Sequence, residues 1–255
     1  VILGLSAAPL VLRRAALATE PRRPLRVAAL ITTFFPRSHA HVILENFLHP
    51  YLFNGEWTDP GMDVVAFYVD QFAPEDLARK ASEKYKIPIF PSIAEALCLG
   101  GNELAVDAVL SIGEHGRYPT NEKGQREYPR KRFFDEIVAV FRKSGRVVPV
   151  FNDKHLSYRW DWAKEMAETA RELKIPLMAG SSVPLAQRRP PLELPAGARI
   201  AEAVSIHGGG FESYDFHAME VLQSMVETRR GGETGIARVE WLSADALWKA
   251  ADEGR

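Results

Sequence analysis

The sequence has 255 residues, of which 46% are hydrophobic and 25% are charged, and its formal net charge is -1 at pH 7. This length and balance are typical of a globular protein with one large domain, or with one domain and part of a second. The near-neutral charge gives no electrostatic case for nucleic-acid binding. The single cysteine, Cys98, excludes an internal disulfide and leaves no cluster of thiolates for zinc.

The N-terminal stretch has the pattern of an export signal. Residues 1–12 are apolar and are followed by an arginine pair and by Ala16-Leu17-Ala18, which has the small-x-small pattern of a cleavage site. The apolar run is too short to span a bilayer, and arginines after such a run are more usual in twin-arginine signals. We therefore predict an export signal remnant at 1–18, a linker at 19–24, and a periplasmic or otherwise extracytoplasmic mature protein without a membrane span. The alternative is a frayed amphipathic helix on a cytoplasmic protein.

Apolar runs and helical spacings alternate from residue 25 to residue 180. Uninterrupted apolar runs predict buried strands at 25–31, 62–69, 87–90, 106–112, 147–151 and 176–179. Apolar residues at helical spacing predict helices at 38–53, 74–85, 92–99, 131–144 and 160–173, with a loop at 54–61. This alternation indicates right-handed βαβ crossovers. The predicted fold class is therefore α/β, with a doubly wound, mostly parallel, Rossmann-like sheet over 25–180.

The pattern changes after Ser181. A segment rich in proline and arginine at 188–198 predicts an irregular crossing. Strands are predicted at 200–206 and 239–242, and a helix at 216–229. Residues 181–255 are therefore predicted to form a small or truncated α+β region that follows the sheet.

Four stretches of the first region carry a family resemblance. They are 26–31 running into 38–40, then 84–97, then 106–112 with 114–115, and finally 148–157. In order and spacing they resemble the first strand and helix entry, the "ip-fps-ieel" segment, the "vDaV" strand and the "EKP" segment of the Gfo/Idh/MocA oxidoreductases. The resemblance implies a dinucleotide-binding-type domain at 25–180 and a partial substrate-side domain at 181–255. It also implies an oxidoreductase that uses NAD or NADP on a sugar or cyclitol.

The phosphate-binding glycines of that family are missing here. On the register of the first strand they fall at Ile31, Thr33 and Pro36. Glycine permits the tight turn and lets the backbone approach a pyrophosphate closely, whereas β-branched side chains and proline crowd that approach. The dinucleotide is therefore held differently from the family pattern, or not at all.

Several other residues are candidates for holding the cofactor. Polar side chains at the start of the first helix could bind an anion there: Thr32, Thr33, Arg37 and Ser38. Asp70 follows the second strand and by resemblance would bind the ribose hydroxyls, although a solvated strand-end acid is an equal alternative. Glu114 and His115 follow the predicted strand at 106–112, at the edge where doubly wound sheets bind ligands.

The catalytic candidates are Lys154, His217 and Asp215. The family's "EKP" is replaced by Asp153-Lys154-His155, and by resemblance Lys154 would lie near the nicotinamide and the substrate hydroxyl. His217 has Asp215 two residues before it and Glu220 three after it, and a histidine beside a carboxylate is a competent acid or base. The alternatives are a surface lysine and a helix-capping histidine.

Three functions remain open from the sequence. The leading one is the oxidoreductase, with a small molecule, a carbohydrate, as its partner and a homo-oligomer as an expected assembly. The second is a relative that has lost the cofactor and binds carbohydrate or serves as a scaffold, which the absent glycines favour. The third is a metal-dependent hydrolase or lyase, for which only scattered ligands exist: His39, His41, His115, His155, His207, His217, Glu114 and Glu212. No metal-binding motif supports the third.

Overall fold

The computed structural model describes residues 23–254, except for the side chains of 211–213. Its strands are β1 (Leu25–Ile31), β2 (Tyr51–Phe53), β3 (Glu56–Thr58), β4 (Met62–Val69), β5 (Ile89–Phe90), β6 (Ala108–Ile112), β7 (Val150–Asp153) and β8 (Leu177–Gly180). Its helices are α1 (His39–Leu48), α2 (Ala78–Tyr85), α3 (Ile93–Cys98), α4 (Arg130–Ser144), α5 (Trp160–Glu172), α6 (Phe211–Val226) and α7 (Asp245–Asp252). The predicted signal remnant and most of the predicted linker lie outside the described residues.

Six strands form one parallel sheet in the order β5-β4-β1-β6-β7-β8. From β1 the chain moves outward through β4 to β5, and then returns to the other side of β1 to add β6, β7 and β8. The change of direction lies between β1 and β6, which is where doubly wound sheets form a ligand crevice beyond the carboxyl ends of their strands. The predicted α/β class and parallel sheet are confirmed.

The central strand explains why the sheet is covered on both faces. Ala28 and Leu30 of β1 belong to a core shared with α3, α4 and α5. Ala29 and Ile31, one residue out of phase, belong to a second core with α1 and α2. Because side chains alternate between the faces of a strand, an unbroken apolar run is what a strand with helices on both faces needs.

The first helix is shorter than the sequence predicted. The prediction ran from 38 to 53, but α1 ends at Leu48, and His49 is extended with a φ of -160°. His49 precedes Pro50, and a residue before proline is disfavoured in the helical region. The apolar residues at the end of the predicted helix form β2 instead, and β2 pairs in an antiparallel hairpin with β3, which lies inside the predicted loop.

The predicted strands at 200–206 and 239–242 were wrong, since neither range is a strand in the structure. Val204 is 82% exposed and Ile206 is 92% exposed, so their apolar side chains have no surface on which to pack. Helix α6 begins earlier than predicted, and α7 was not predicted. None of the described helices is long and apolar enough to cross a membrane.

Candidate functional site

Most candidate site residues lie at the carboxyl edge of the sheet, on the loops after β1, β4, β6 and β7, whereas Asp215 and His217 lie on α6. Three of them share an uncommon backbone conformation: φ is +67° at Arg37, +68° at His115 and +70° at Lys154. Non-glycine residues in this left-handed region store strain that the surrounding structure must hold, and such residues cluster at functional sites. Lys154 is held by two backbone hydrogen bonds with Gly180, of 2.9 and 2.8 Å.

Lys154 and His217 are brought together, as the sequence predicted for the two halves of one site. The Lys154 Nζ atom donates to His217 Nε2 over 2.9 Å. On the other side of the ring, His217 Nδ1 lies 3.6 Å from Glu220 Oε2 and 3.5 Å from Ser181 Oγ. An ammonium, an imidazole and a carboxylate therefore stand in line, which is an arrangement that can move a proton to or from a bound hydroxyl.

Asp215 is not part of that line, although the sequence placed it with His217. It accepts from His207 Nε2 over 2.6 Å and so forms a second histidine–carboxylate pair. Two residues apart on α6, Asp215 and His217 point to different partners, because positions i and i+2 of a helix do not face each other. Glu220, at i+3 from His217, is the carboxylate that reaches it.

Arg130 is a site residue that the sequence analysis missed. Its side chain is 1% exposed at the start of α4, and its guanidinium donates to the Glu114 carboxylate. A second guanidinium nitrogen lies 3.4 Å from His155 Nε2. Burial, followed by the nearby positive charges of Arg130 and Lys154, lowers the pKa of His155 to about 4. His155 is therefore neutral at physiological pH, and the Glu114 carboxylate is ion-paired with Arg130.

Polar side chains in the turn after β1 are buried and form hydrogen bonds within the protein. Thr32, Thr33 and Ser38 are all buried. The Thr32 hydroxyl donates to the backbone carbonyls of Ile112 and Glu114, which joins the loops after β1 and β6.

The N–H groups near the start of α1 also have local acceptors. The Ser38 hydroxyl accepts from the backbone N–H groups of Phe35 and His41, and Arg37 N donates to His41 Nδ1. Such N–H groups are what a phosphate needs at a helix N-terminus. Only the side chain of Arg37, among the four polar residues predicted there, is exposed.

Aromatic rings bridge the crevice between β1 and β6. The ring of His115 lies between those of Phe35 and His39, with centroid distances of 5.3 and 5.1 Å. His39 Nδ1 in turn donates to Asp153 Oδ2 at the end of β7, over 2.7 Å. Burial, and then the neighbouring His39, lowers the pKa of His115. These contacts span the crevice in which doubly wound sheets bind a dinucleotide, and together with the missing glycines they depart from the pattern that fits that cofactor.

Asp70 is engaged by three donors. It accepts from Tyr68 Oη over 2.6 Å, from Tyr118 Oη over 2.7 Å and from the guanidinium of Arg132. Burial alone would raise the pKa of this carboxyl, but the three hydrogen bonds outweigh burial and lower the pKa. The carboxylate is thus held by the protein itself, at the position where the family resemblance placed a ribose.

A cavity of about 690 Å³ is lined by residues that neighbour the pair in the chain: His155 follows Lys154, and Asp215 and Phe216 precede His217. Polar and aromatic side chains line it together, among them His155, Ser157, Tyr158, Ser205, His207 and Phe216. In the described part of the chain, four buried side-chain polar atoms lack a hydrogen-bond partner, and three belong to this site: Arg130 Nε, His155 Nδ1 and Glu220 Oε2. Unsatisfied buried polar atoms are uncommon, and their concentration here marks a place where a ligand or water completes the structure.

The potential metal ligands do not form a cluster in the described part of the chain. Within residues 23–254, no group of three or more histidine, cysteine, aspartate or glutamate side chains could hold a metal ion. The side chain of Glu212, one of the ligands considered from the sequence, lies outside the described residues.

Comparison with known proteins finds similar solved structures. A Gfo/Idh/MocA family oxidoreductase from Vibrio cholerae is 18% identical, with a TM-score of 0.40 over 63% of this chain and 39% of that one. UDP-N-acetylglucosamine 3-dehydrogenase from Acidithiobacillus ferrooxidans is 14% identical, with a TM-score of 0.40 over 64% of this chain and 40% of that one. Biliverdin reductase from Synechocystis, solved with biliverdin and NADP+, is 16% identical, with a TM-score of 0.37 over 61% and 37%.

The chain spans about two fifths of the length of these solved structures. No family model and no curated protein matches it. The solved structures that the chain resembles thus include a member of the Gfo/Idh/MocA family, which the sequence motifs also resemble.

Gly113 is predicted to be required for the placement of Arg130. A Cβ atom at this position would lie 2.7 Å from Arg130 Cγ, in a region where the arginine stem is fully buried. Gly113→Ala is expected to destabilise the protein by about 1–3 kcal/mol, the usual result of overpacking, as measured by urea unfolding. Gly208→Ala is the control, because a Cβ there meets no atom within 4 Å. Equal stability of the two variants would contradict the close packing.

Asp70 is predicted to stabilise the folded protein in a pH-dependent way. Asp70→Asn should lower the free energy of unfolding by about 1–2 kcal/mol at pH 7, because charged hydrogen bonds are lost beside a partly exposed arginine. The folded-state pKa of Asp70 is lowered, so its contribution is present above the unfolded value of about 3.9 and is lost as the pH falls through the folded pKa. The difference between wild type and variant should therefore shrink on acidification. Asp63→Asn, at the exposed start of β4, is the control, and a difference that grows in acid would refute the assignment.

Proposed function

We propose that this protein binds a hydroxylated small molecule in the cavity beside Lys154 and that Lys154 and His217 exchange the proton of one of its hydroxyl groups. The observation that carries the proposal is the 2.9 Å contact between Lys154 Nζ and His217 Nε2. The pair stands next to the one cluster of buried polar atoms without partners that the described residues contain. Lys154 supplies a positive charge for a developing alkoxide, and the Glu220 carboxylate lies 3.6 Å from Nδ1 of the imidazole that takes or returns the proton.

A sugar or cyclitol is the class of ligand that suits this lining. The cavity offers hydroxyl and imidazole groups from Ser157, Ser205 and His207, beside the rings of Tyr158 and Phe216. Binding sites for small molecules typically join an apolar or aromatic surface to a few placed polar groups that fix the orientation of the ligand. Each hydroxyl of a polyol can both donate and accept, which matches a mixture of donors and acceptors.

Two versions of this function differ in the fate of the substrate hydrogen. The first is a Gfo/Idh/MocA-like oxidoreductase using NAD or NADP, and it is favoured by the strand order, which places Lys154 one strand from the crevice between β1 and β6. The second is a relative without the cofactor, which binds the carbohydrate and exchanges a hydroxyl proton with it by acid–base chemistry alone. The ring contacts of Phe35, His115 and His39 across the crevice favour the second, and we propose that version. A bound dinucleotide is the observable that separates them.

Export and assembly remain proposals from the sequence. An export signal at 1–18 would place the carbohydrate site outside the cytoplasm, where free dinucleotide is scarce, and this agrees with the version that lacks the cofactor. A homo-oligomer and the division of the chain at residue 181 are likewise kept as predictions.

Binding measurements on the whole chain test the proposal. Isothermal titration calorimetry with a panel of aldoses and cyclitols is expected to find at least one ligand for the wild type. Lys154→Met and His217→Gln should each raise the dissociation constant of that ligand about 10- to 100-fold, because each substitution removes a hydrogen bond that involves a charged group. Their controls are Lys143→Met and His49→Gln, both at exposed positions. A wild type that binds no member of the panel, or variants that bind as tightly as the wild type, would contradict the proposed function.

A further inference from the structure

His155 presents one satisfied and one unsatisfied nitrogen. Its Nε2 atom lies 3.4 Å from a guanidinium nitrogen of Arg130. Its Nδ1 atom is buried and has no hydrogen-bond partner among the described residues. The ring also lines the 690 Å³ cavity, where it contacts the ring of Phe216 at a centroid distance of 5.0 Å.

The contact with Arg130 fixes which nitrogen carries the proton. A guanidinium has only donors and does not lose its proton in proteins, so the imidazole nitrogen that faces it must accept. Nε2 is then unprotonated, and a neutral imidazole must carry its proton on Nδ1. His155 therefore holds a buried N–H donor with no acceptor among the described residues, on a side chain that lines the cavity.

The charges around His155 oppose its protonation. Arg130, Lys154 and His217 disfavour a positive charge on its ring, whereas Asp153 favours one. Burial also disfavours that charge and is the largest effect. The ring thus stays neutral across the range in which most histidines titrate.

We propose that Arg130 is a positioning residue that holds His155 as a neutral hydrogen-bond donor, with its Nδ1 proton available to an oxygen atom of the ligand. The donor role rests on the proposed function, because it needs a ligand in this cavity. The tautomer of His155 does not depend on the proposed function, because it follows from the contact with Arg130 alone. The ligand oxygen would be a hydroxyl or ring oxygen of the polyol, and it would satisfy one of the three orphaned atoms of the site. Lys154 and His217 would then act on a molecule whose orientation His155 helps to set.

Nuclear magnetic resonance of the ¹⁵N-histidine-labelled whole chain tests the tautomer directly. Two-bond ¹H–¹⁵N correlations report the protonation of each ring nitrogen, and the spectrum of His155→Phe identifies the signals of His155 by their loss. The wild type is expected to show His155 neutral from pH 8 to pH 5, with its proton on Nδ1. A proton on Nε2, or protonation near the ordinary value of about 6.5, would overturn the inference. Arg130→Gln should remove the preference for Nδ1, and if this variant does not fold, the wild-type spectrum still decides.

Calorimetry with the aldose or cyclitol that the wild type binds most tightly tests the donor. His155→Phe keeps a planar ring and removes the N–H, so the dissociation constant should rise about 3- to 10-fold, which is the usual effect of one neutral hydrogen bond. His49→Phe is the matched control at an exposed position. Unchanged binding by His155→Phe would overturn the donor role. If no member of the panel binds the wild type while the proton lies on Nδ1, the proposed function and the donor role fail, and the positioning role of Arg130 stands.

Discussion

A guanidinium with almost no solvent exposure lies between the loops that follow β6 and β7, and the arrangement of the carboxyl edge depends on it. Arg130 comes from the start of α4, ion-pairs with Glu114 and approaches His155. Burying such a charge is unfavourable unless it is paired, and removing either partner would leave a buried charge without compensation. The ion pair therefore fixes the two loops relative to each other. Gly113 gives the arginine stem the space that a side chain would take.

The carboxyl edge of the sheet contains a crevice that is bridged by side chains and, one strand away, a lysine–histidine pair. Between β1 and β6, the crevice of a doubly wound fold is bridged by rings and by the Thr32 hydroxyl. One strand further on, Lys154 is held in a left-handed conformation with its ammonium on His217. The crevice in which such folds usually hold a dinucleotide is thus spanned by the protein's own side chains, while the pair that can handle a hydroxyl proton lies next to residues that line a cavity. A binding site that acts by acid–base chemistry is consistent with both features.

The sequence predicted the sheet well because an apolar run in a fully covered strand is a strong local signal. The predicted α1 was too long, because apolar residues continue at helical spacing beyond the point where the helix ends. The helix ends before Pro50, since the residue before a proline is disfavoured in the helical conformation. The strands at 200–206 and 239–242 were expected from apolar composition, but a strand also needs a neighbour, and composition does not show one.

The candidate site was predicted in part. Lys154 and His217 could be paired in advance, because family resemblance gave both positions. Arg130 could not be predicted, because an arginine at the start of an amphipathic helix is usually exposed and only tertiary contacts bury it. The partner of Asp215 was missed for a similar reason, since His207 lies in a loop whose path the sequence does not determine.

The most direct test is to denature the purified whole chain and to identify the released small molecules by mass spectrometry, together with calorimetric titration of the native protein with NADH and NADPH. We expect no stoichiometric dinucleotide in the released material and no binding of either compound, because the protein's own side chains bridge the crevice between β1 and β6. Recovery of stoichiometric NAD(H) or NADP(H) would contradict it. That result would mean that the ring contacts open, and it would make Lys154 and His217 part of an oxidoreductase site.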